Sequence, residues 1–262
     1  MTAPTWREPP DFADATLHGP DSGAELFVVE GRSAAAAVRA VRDPRRQAVL
    51  ALRGMPLNAA RASAARLAAD PFLGTLVGAL GAGDGAACSV DGLRYERVLL
   101  LHDPDADGIH IGALLLIHAA LRLRPLLAAG RIERVHAPVG EVRCAPHAPP
   151  EVALGHAHLH ALCARARAEH GPAFVAIRYR GLASLGPAVL RARCVDPATR
   201  LTSVLTEADA SRALAVFGGV SSVAPGRCLD LPAPARCPPH PTPPKARSGP
   251  TACGATTAGP PA

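Results

Sequence analysis

Residues 99–118 read LLLHDPDADGIHIGALLLIH: an apolar run, then Asp103, Asp105 and Asp107 at alternate positions, then a second apolar run. With Arg97 and Val98 the first run has the length and continuity of a buried β-strand. The second predicts a helix over GALLLIHAALRLRPLLAAG (112–130), with Pro125 as a kink or break and Gly130 as its stop. The acidic knot therefore falls at the end of a strand. Carboxylates this close raise one another's pKa and destabilise the loop unless something cationic sits among them. Hard oxygen donors of this kind suit magnesium, which keeps several waters and takes few carboxylates. The alternative is a solvated turn whose aspartates cap the next helix. An EF-hand calcium loop is disfavoured, because no Glu closes it at Leu114 and strand and helix surround it.

The same alternation continues outward. AELFVVEG (24–31) reads as a buried strand ending in Glu30-Gly31, SAAAAVRAVR (33–42) as a helix capped by Ser33, and QAVLAL (47–52) as a second strand. Residues 59–80 read as two helices divided at Asp70-Pro71, 81–92 as a loop, and RIERVHAPV (131–139) as a fourth strand. Strands alternating with helices predict an α/β fold with a right-handed, mainly parallel sheet. In such sheets the active residues collect beyond the carboxyl ends of the strands, where Glu30 and the aspartates both fall. A second region, 141–220, predicts a helix over 152–169, a strand in FVAIRYRGL (174–182), a turn and strand in DPATRLTSVL (196–205) and a Thr-capped helix over 206–219. Residues 1–22 read as irregular, and the Pro-rich stretch 221–262 as disordered.

Composition narrows the function classes. The chain has 262 residues, enough for one large or two small domains. Lys245 is the one lysine, and Arg richness beside so much Ala, Gly and Pro reads as a coding bias rather than a functional sign. The net charge of +6 still favours a polyanionic partner, although 3% aromatics leaves few stacking platforms for single strands. The 7 cysteines include no CxxC pair, which argues against a zinc ribbon or dithiol redox site and suits a reducing cytoplasm. The N-terminus has no apolar signal-peptide core, and no apolar stretch is long enough for a membrane span, so a soluble cytoplasmic protein is expected. His156, His160 and Cys163 share a helix face at i, i+4 and i+7, but without a second ligand pair they read as ordinary face residues rather than a zinc site.

Several motifs in order resemble one family. ELFVVEGRSA (25–34), QAVLALRGMPLNAARA (47–62), LLLHDPDADGIHI (99–111), AIRYRGLASL (176–185) and VDPATRLTSVLTEADASRALAVF (195–217) resemble the C-terminal half of the type IIA DNA topoisomerase B subunit, the bacterial gyrase and topoisomerase IV family. The likeness covers roughly residues 11 to 220. It implies a Rossmann-like Toprim domain over 23–140 and a small α+β tail subdomain over 141–220. It also implies that Glu30, Asp103, Asp105 and Asp107 bind Mg2+, with Glu30, Asp103, Asp105 and His110 forming the catalytic group. His110 would touch the phosphate, brace the aspartate loop, or make only a structural hydrogen bond. Arg53, Asn58, Arg178 and Arg180 are implied contacts to the DNA backbone. The implied partners are double-stranded DNA, an A-type subunit carrying the nucleophilic tyrosine, and a separate ATPase subunit, with a nucleoid-associated location. Tyr95 and Tyr179 lie in matched scaffold segments and read as structural. Nothing before Glu25 has room for an ATPase domain, so the chain is expected not to hydrolyse ATP. The chain departs from the family at Arg32, at Met55 and Arg180 (both lysine in the family), and at Ala183 and Ser184. Those departures keep two alternatives open: a non-catalytic DNA- or subunit-binding paralogue, and a stand-alone Toprim nuclease.

Overall fold

The structure is a computed structural model that describes residues 11–145 and 149–219. Five strands and a short edge piece make the main sheet: β1 (Phe12–Ala13), β2 (Glu25–Glu30), β3 (Gln47–Leu52), β4 (Arg97–Leu101), β5 (Ile132–Val135) and β9 (Thr202–Val204), in the order β1-β3-β2-β4-β5-β9. The four inner strands run parallel, and the two edges are antiparallel. The inner strands carry unbroken apolar runs because both of their faces are covered. Alternate side chains split between two cores. Leu26, Val28, Leu50 and Leu100 face α3 (Pro71–Leu80), α4 (Ala106–Arg122), α5 (Arg124–Ala128) and α8 (Glu207–Phe217). Phe27, Val29, Val49 and Leu101 face α1 (Gly31–Val41) and the segment Leu182–Val195.

From β2 the chain crosses to β3 on one side and then returns to β4 on the other, so a topological switch point lies between β2 and β4. The crevice beyond the carboxyl ends of two such strands is where open α/β sheets place their ligands. Val29 pairs with Leu101, which sets Glu30 and Asp103 side by side at that mouth.

Several local boundaries differ from the sequence reading. Helix α1 starts at Gly31 rather than Ser33; Gly31 takes φ 77° to turn off the strand, and no side chain caps the helix. Helix α4 starts at Ala106, six residues before 112, because the Asp105 carboxylate accepts the Gly108 N–H at 2.9 Å and draws the acidic loop into the first turn. It ends at Arg122, and Pro125 lies in the first turn of the separate α5. The short α2 (Ala64–Ala68) and α3 divide at Asp70-Pro71 as expected, with Asp70 accepting the Leu73 N–H at 2.8 Å.

Segment 141–220 divides in space. Strands β6 (Gly140–Arg143), β7 (Glu151–Ala153) and β8 (Val175–Arg178) form a small antiparallel sheet backed by α6 (His156–His170), so the helix expected from 152 starts later, after a strand. The short α7 (Pro187–Leu190) and the π-turn Arg191–Val195 cover the main sheet, and β9 and α8 extend it. A buried clasp holds this return: Arg200 pairs with Glu25, Gln47 donates to Glu25 at 2.9 Å, and both Arg200 and Gln47 donate to the Val195 carbonyl at 2.9 Å. The stretches 1–10 and 220–262, expected to be irregular and disordered, lie outside the described residues.

The side chains of Arg200 and Glu25 are 2% and 4% exposed, so removing one partner strands the other charge in the interior. Arg200→Met is expected to lower the unfolding free energy by about 3–5 kcal/mol in urea titrations, and Glu25→Leu with Arg200→Met to recover most of that. An unchanged midpoint in the single variant would show that the clasp does not hold the tail.

Three histidines titrate against the fold. Burial pushes His102 down to about 4, burial and then the Arg134 charge push His136 down to about 4, and burial also lowers His118, whose ring nitrogens have no partner. Each stays neutral when folded, whereas an unfolded histidine takes a proton near 6.5. For His102 and His136 the contribution to stability is therefore complete above about 6.5 and lost as pH falls toward about 4, and His118 acts in the same direction. The denaturation midpoint of the metal-free protein should drop through that window, and His102→Asn should flatten the slope.

Candidate metal centre

The site is built where β2 and β4 stop. Glu30 is the last residue of β2, Asp103 lies just beyond β4, Asp105 occupies the N-cap of α4 and Asp107 its first turn. The positive end of the α4 backbone dipole favours carboxylates at its first turn, which accounts for Asp105 and Asp107 without any ligand. Glu30 and Asp103 have no such explanation. Burial, followed by the charges of Asp103, Asp105 and Asp107, pushes the Glu30 carboxyl up. Its Oε2 is enclosed and has no hydrogen-bond partner. Asp103 is also pushed up, by burial and by Asp105, while a backbone N–H opposes the shift. Among the described residues, no arginine or histidine pairs with any of the four carboxylates.

The donor set therefore fits a hard divalent cation: oxygen ligands only, mutual repulsion that a cation would relieve, and an orphaned oxygen at the mouth of the switch point. The fit is one of chemistry rather than of a closed cage, since no group of three His, Cys, Asp or Glu side chains is drawn into a ready ligand cluster among the described residues.

The most direct support for Asp103 comes from the RYRGL segment. The Leu182 N–H donates to Asp103 Oδ1 at 2.7 Å. Gly181 has φ 143°, and a Cβ there would lie 2.4 Å from Asp103 Oδ2. Gly108 packs as closely on the other side, where a Cβ would lie 2.0 Å from the Asp103 carbonyl oxygen. Reading by side-chain chemistry misses all three, since glycine and a backbone amide have none to read. The available signal is the place of RYRGL among the resembling motifs.

The other expected site residues are scattered. The His110 ring stacks on Phe217 of α8 with centroids 4.7 Å apart, a packing role on the second turn of α4. Asn58 donates from Nδ2 to the Phe217 carbonyl at 2.8 Å and accepts the Ala60 N–H at 3.0 Å, so its amide is engaged at both ends. Arg53 is ion-paired with Asp11, as is Arg32. Arg178 and Arg180 are exposed, and neither makes an ion pair among the described residues. Met55 is exposed as well. Tyr95 is fully buried with its hydroxyl donating to Asp14, and Tyr179 donates to Glu141 at 2.8 Å; both act as scaffold. His156, His160 and Cys163 lie along α6 without forming a metal cluster. No helix among the described residues is long and apolar enough to cross a membrane.

Comparison with known proteins agrees with this fold. Residues 25–137, from the start of β2 to just past β5, match the Toprim domain. The chain is 35% identical over 200 residues to the B subunit of DNA topoisomerase 4 from Caulobacter vibrioides, covering 76% of this chain and 28% of that protein. It is 30% identical over 209 residues to the B subunit of DNA gyrase from Archaeoglobus fulgidus, covering 80% of this chain and 32% of that protein. Against the B subunit of DNA topoisomerase 4 from Streptococcus pneumoniae it is 32% identical over 189 residues, 72% of this chain and 29% of that protein. The chain thus spans about a third or less of the length of these relatives. Over the region they share, it belongs to the family of type IIA DNA topoisomerase B subunits and carries their Toprim domain.

Proposed function

We propose that Glu30, Asp103, Asp105 and Asp107 hold Mg2+ at a DNA cleavage and religation site whose nucleophilic tyrosine comes from an A-type partner subunit. The observation that carries this reading is the group of four carboxylates at the switch point with no cationic side chain of the described residues among them. When bound there, magnesium would polarise the scissile phosphate and stabilise charge on the leaving 3′ oxygen. The chain's own residues do the rest. Glu30 and Asp103 supply oxygens from the ends of adjacent strands, fixed in spacing by the β2–β4 register. Asp105 holds the loop by capping α4, and both Asp105 and Asp107 are exposed, whereas Glu30 and Asp103 are half-buried. Arg178 and Arg180 offer exposed guanidiniums for backbone phosphates, flanking the loop that holds Asp103. Arg53 joins them by exchanging Asp11 for phosphate, and His110 braces α4 against α8. Double-stranded DNA is the substrate, the ATPase belongs to another region or subunit, and the protein works in the nucleoid-associated cytoplasm.

A second reading has its own observation. Met55 and Arg180 stand where the family carries lysine, and both are exposed, so DNA handling could be altered while the acidic corner stays whole. That would make the chain a non-catalytic DNA- or subunit-binding module.

One assay separates these. The protein is mixed with an A-type partner and supercoiled DNA, with and without Mg2+, and covalent cleavage complexes are trapped with detergent. Magnesium-dependent complexes are expected, and Asp103→Ala or Glu30→Ala should reduce them by more than the roughly 10–100-fold typical of changes outside the ligand shell. No cleavage by the wild type, with DNA binding intact and unchanged in Asp103→Ala, would establish the binding module instead. Nicking without any A-type partner would establish a stand-alone nuclease.

A further inference from the structure

We propose that the Gly181-Leu182 peptide, in the segment between β8 and α7, is the positioning element that aims the Asp103 carboxylate into the metal site. The inference rests on the proposed metal-binding role of Asp103. Beyond that role, it assigns a specific task to a pair of residues that carry no ligand chemistry of their own.

Asp103 sits in a loop just past β4, where a free aspartate side chain would sample several rotamers. Two contacts from one distant peptide remove that freedom. The Leu182 N–H donates to Oδ1 at 2.7 Å, a charge-assisted bond that selects one oxygen. The Gly181 backbone closes on the other oxygen so tightly that a Cβ would lie 2.4 Å from Oδ2 and 3.0 Å from Cγ. Only a residue without a side chain permits that approach, and φ 143° at Gly181 is a conformation that L side chains rarely adopt. The peptide is itself anchored. Ser184 Oγ accepts the Arg180 N–H at 3.0 Å and donates to the Gly181 carbonyl at 2.6 Å, and the Leu182 side chain is buried against the α1 face of the sheet. The element is therefore rigid, backbone-borne and fixed to the sheet whose strands carry Glu30 and Asp103.

This arrangement makes an unusual substitution informative. A methyl at position 181 meets the far end of the Asp103 side chain and no other atom within 3.0 Å, so the cheapest response is a swing of the carboxylate rather than a shift of backbone. Gly181→Ala should therefore displace a metal ligand. Gly171, in the turn after α6, supplies the control: its φ of 61° gives similar backbone strain, but a Cβ there meets nothing within 4 Å.

The test is Mn2+ binding to the full chain, followed by calorimetry and by the electron paramagnetic resonance of free manganese, at a temperature well below every variant's melting point. Wild type is expected to bind, and Asp103→Ala to lose binding. Gly181→Ala should weaken binding by roughly 10–100-fold, the range for groups that orient a ligand. Gly171→Ala should melt earlier than wild type yet bind as wild type does. Leu182→Ala keeps the N–H and loses only the buried side chain that anchors the peptide, so it should melt earlier and bind more tightly than Leu182→Pro. Leu182→Pro removes the N–H at the first position of a 3-10 turn, where proline is tolerated, and should weaken binding even if Gly181→Ala fails to fold. Wild-type affinity in Gly181→Ala or Leu182→Pro, with Asp103→Ala abolished, overturns this inference and leaves the metal site standing. A wild type that binds no Mn2+, or an Asp103→Ala that binds as well as wild type, overturns both.

Discussion

Four carboxylates gathered at one sheet mouth, with no cationic side chain of the described residues among them, are the constraint around which the molecule is organised. The parallel register of β2 and β4 puts two of them there, and the capping of α4 adds the other two. Such a cluster opposes folding, and the fold meets it with partial offsets. The α4 dipole favours Asp105 and Asp107, typically by about 0.3–1 kcal/mol each, and the Leu182 N–H supplies a bond to a charged acceptor of about 1.5–3 kcal/mol. Glu30 receives neither, and its Oε2 is left without a partner. The stability that closes the sheet over this mouth comes from elsewhere: two apolar cores on opposite faces, and the Arg200–Glu25 clasp at the far end of β2. Strain sits at one end of the strand and its compensation at the other.

That polarity explains which features can be read from the chain alone. The inner strands are legible because parallel strands buried on both faces are written as unbroken apolar runs, as in LFVV and VLLL. The four acids are legible because they end those runs. Boundaries set by tertiary contact are not. Ser33 looks like a cap, but Gly31 turns the chain into the helix two residues earlier. Reading the aspartates as a loop starts α4 too late, because one of them caps the helix they precede. Residues 202–217 read as part of a tail, yet β9 pairs with β5 and α8 lies on α4; nothing local in TSV announces an edge strand of a distant sheet.

Side chains chosen for their chemistry fare unevenly for a related reason. The resemblance implies that Asn58 contacts the DNA backbone, and in the fold its amide donates to the carbonyl of Phe217, 159 positions away. The resemblance implies that His110 touches the phosphate, braces the aspartate loop or makes a structural hydrogen bond, and the same Phe217 stacks on it. Both are drawn into holding the end of α8, a partner invisible until the chain has folded. Conversely, the residues that hold Asp103 most closely, Gly181 and Leu182, act through an absent Cβ and a backbone amide.

The departures from the family fall on a different physical layer from the acids. Glu30 and Asp103 are tied to the core by register and by a backbone bond, so altering their surroundings would disturb sheet packing. Met55, at 49% exposure, and Arg180 carry exposed side chains. On the proposed reading, exchange at such positions would alter the number and kind of phosphate contacts, and with them the salt dependence of DNA binding, while leaving the acidic corner unchanged. Replacing lysine with arginine at 180 keeps the charge but exchanges a compact ammonium for a planar fork; replacing lysine with methionine at 55 removes a charge outright. Intact acids and thinned lysines are therefore compatible within one molecule, because the fold enforces the first while the second lie on exposed surface.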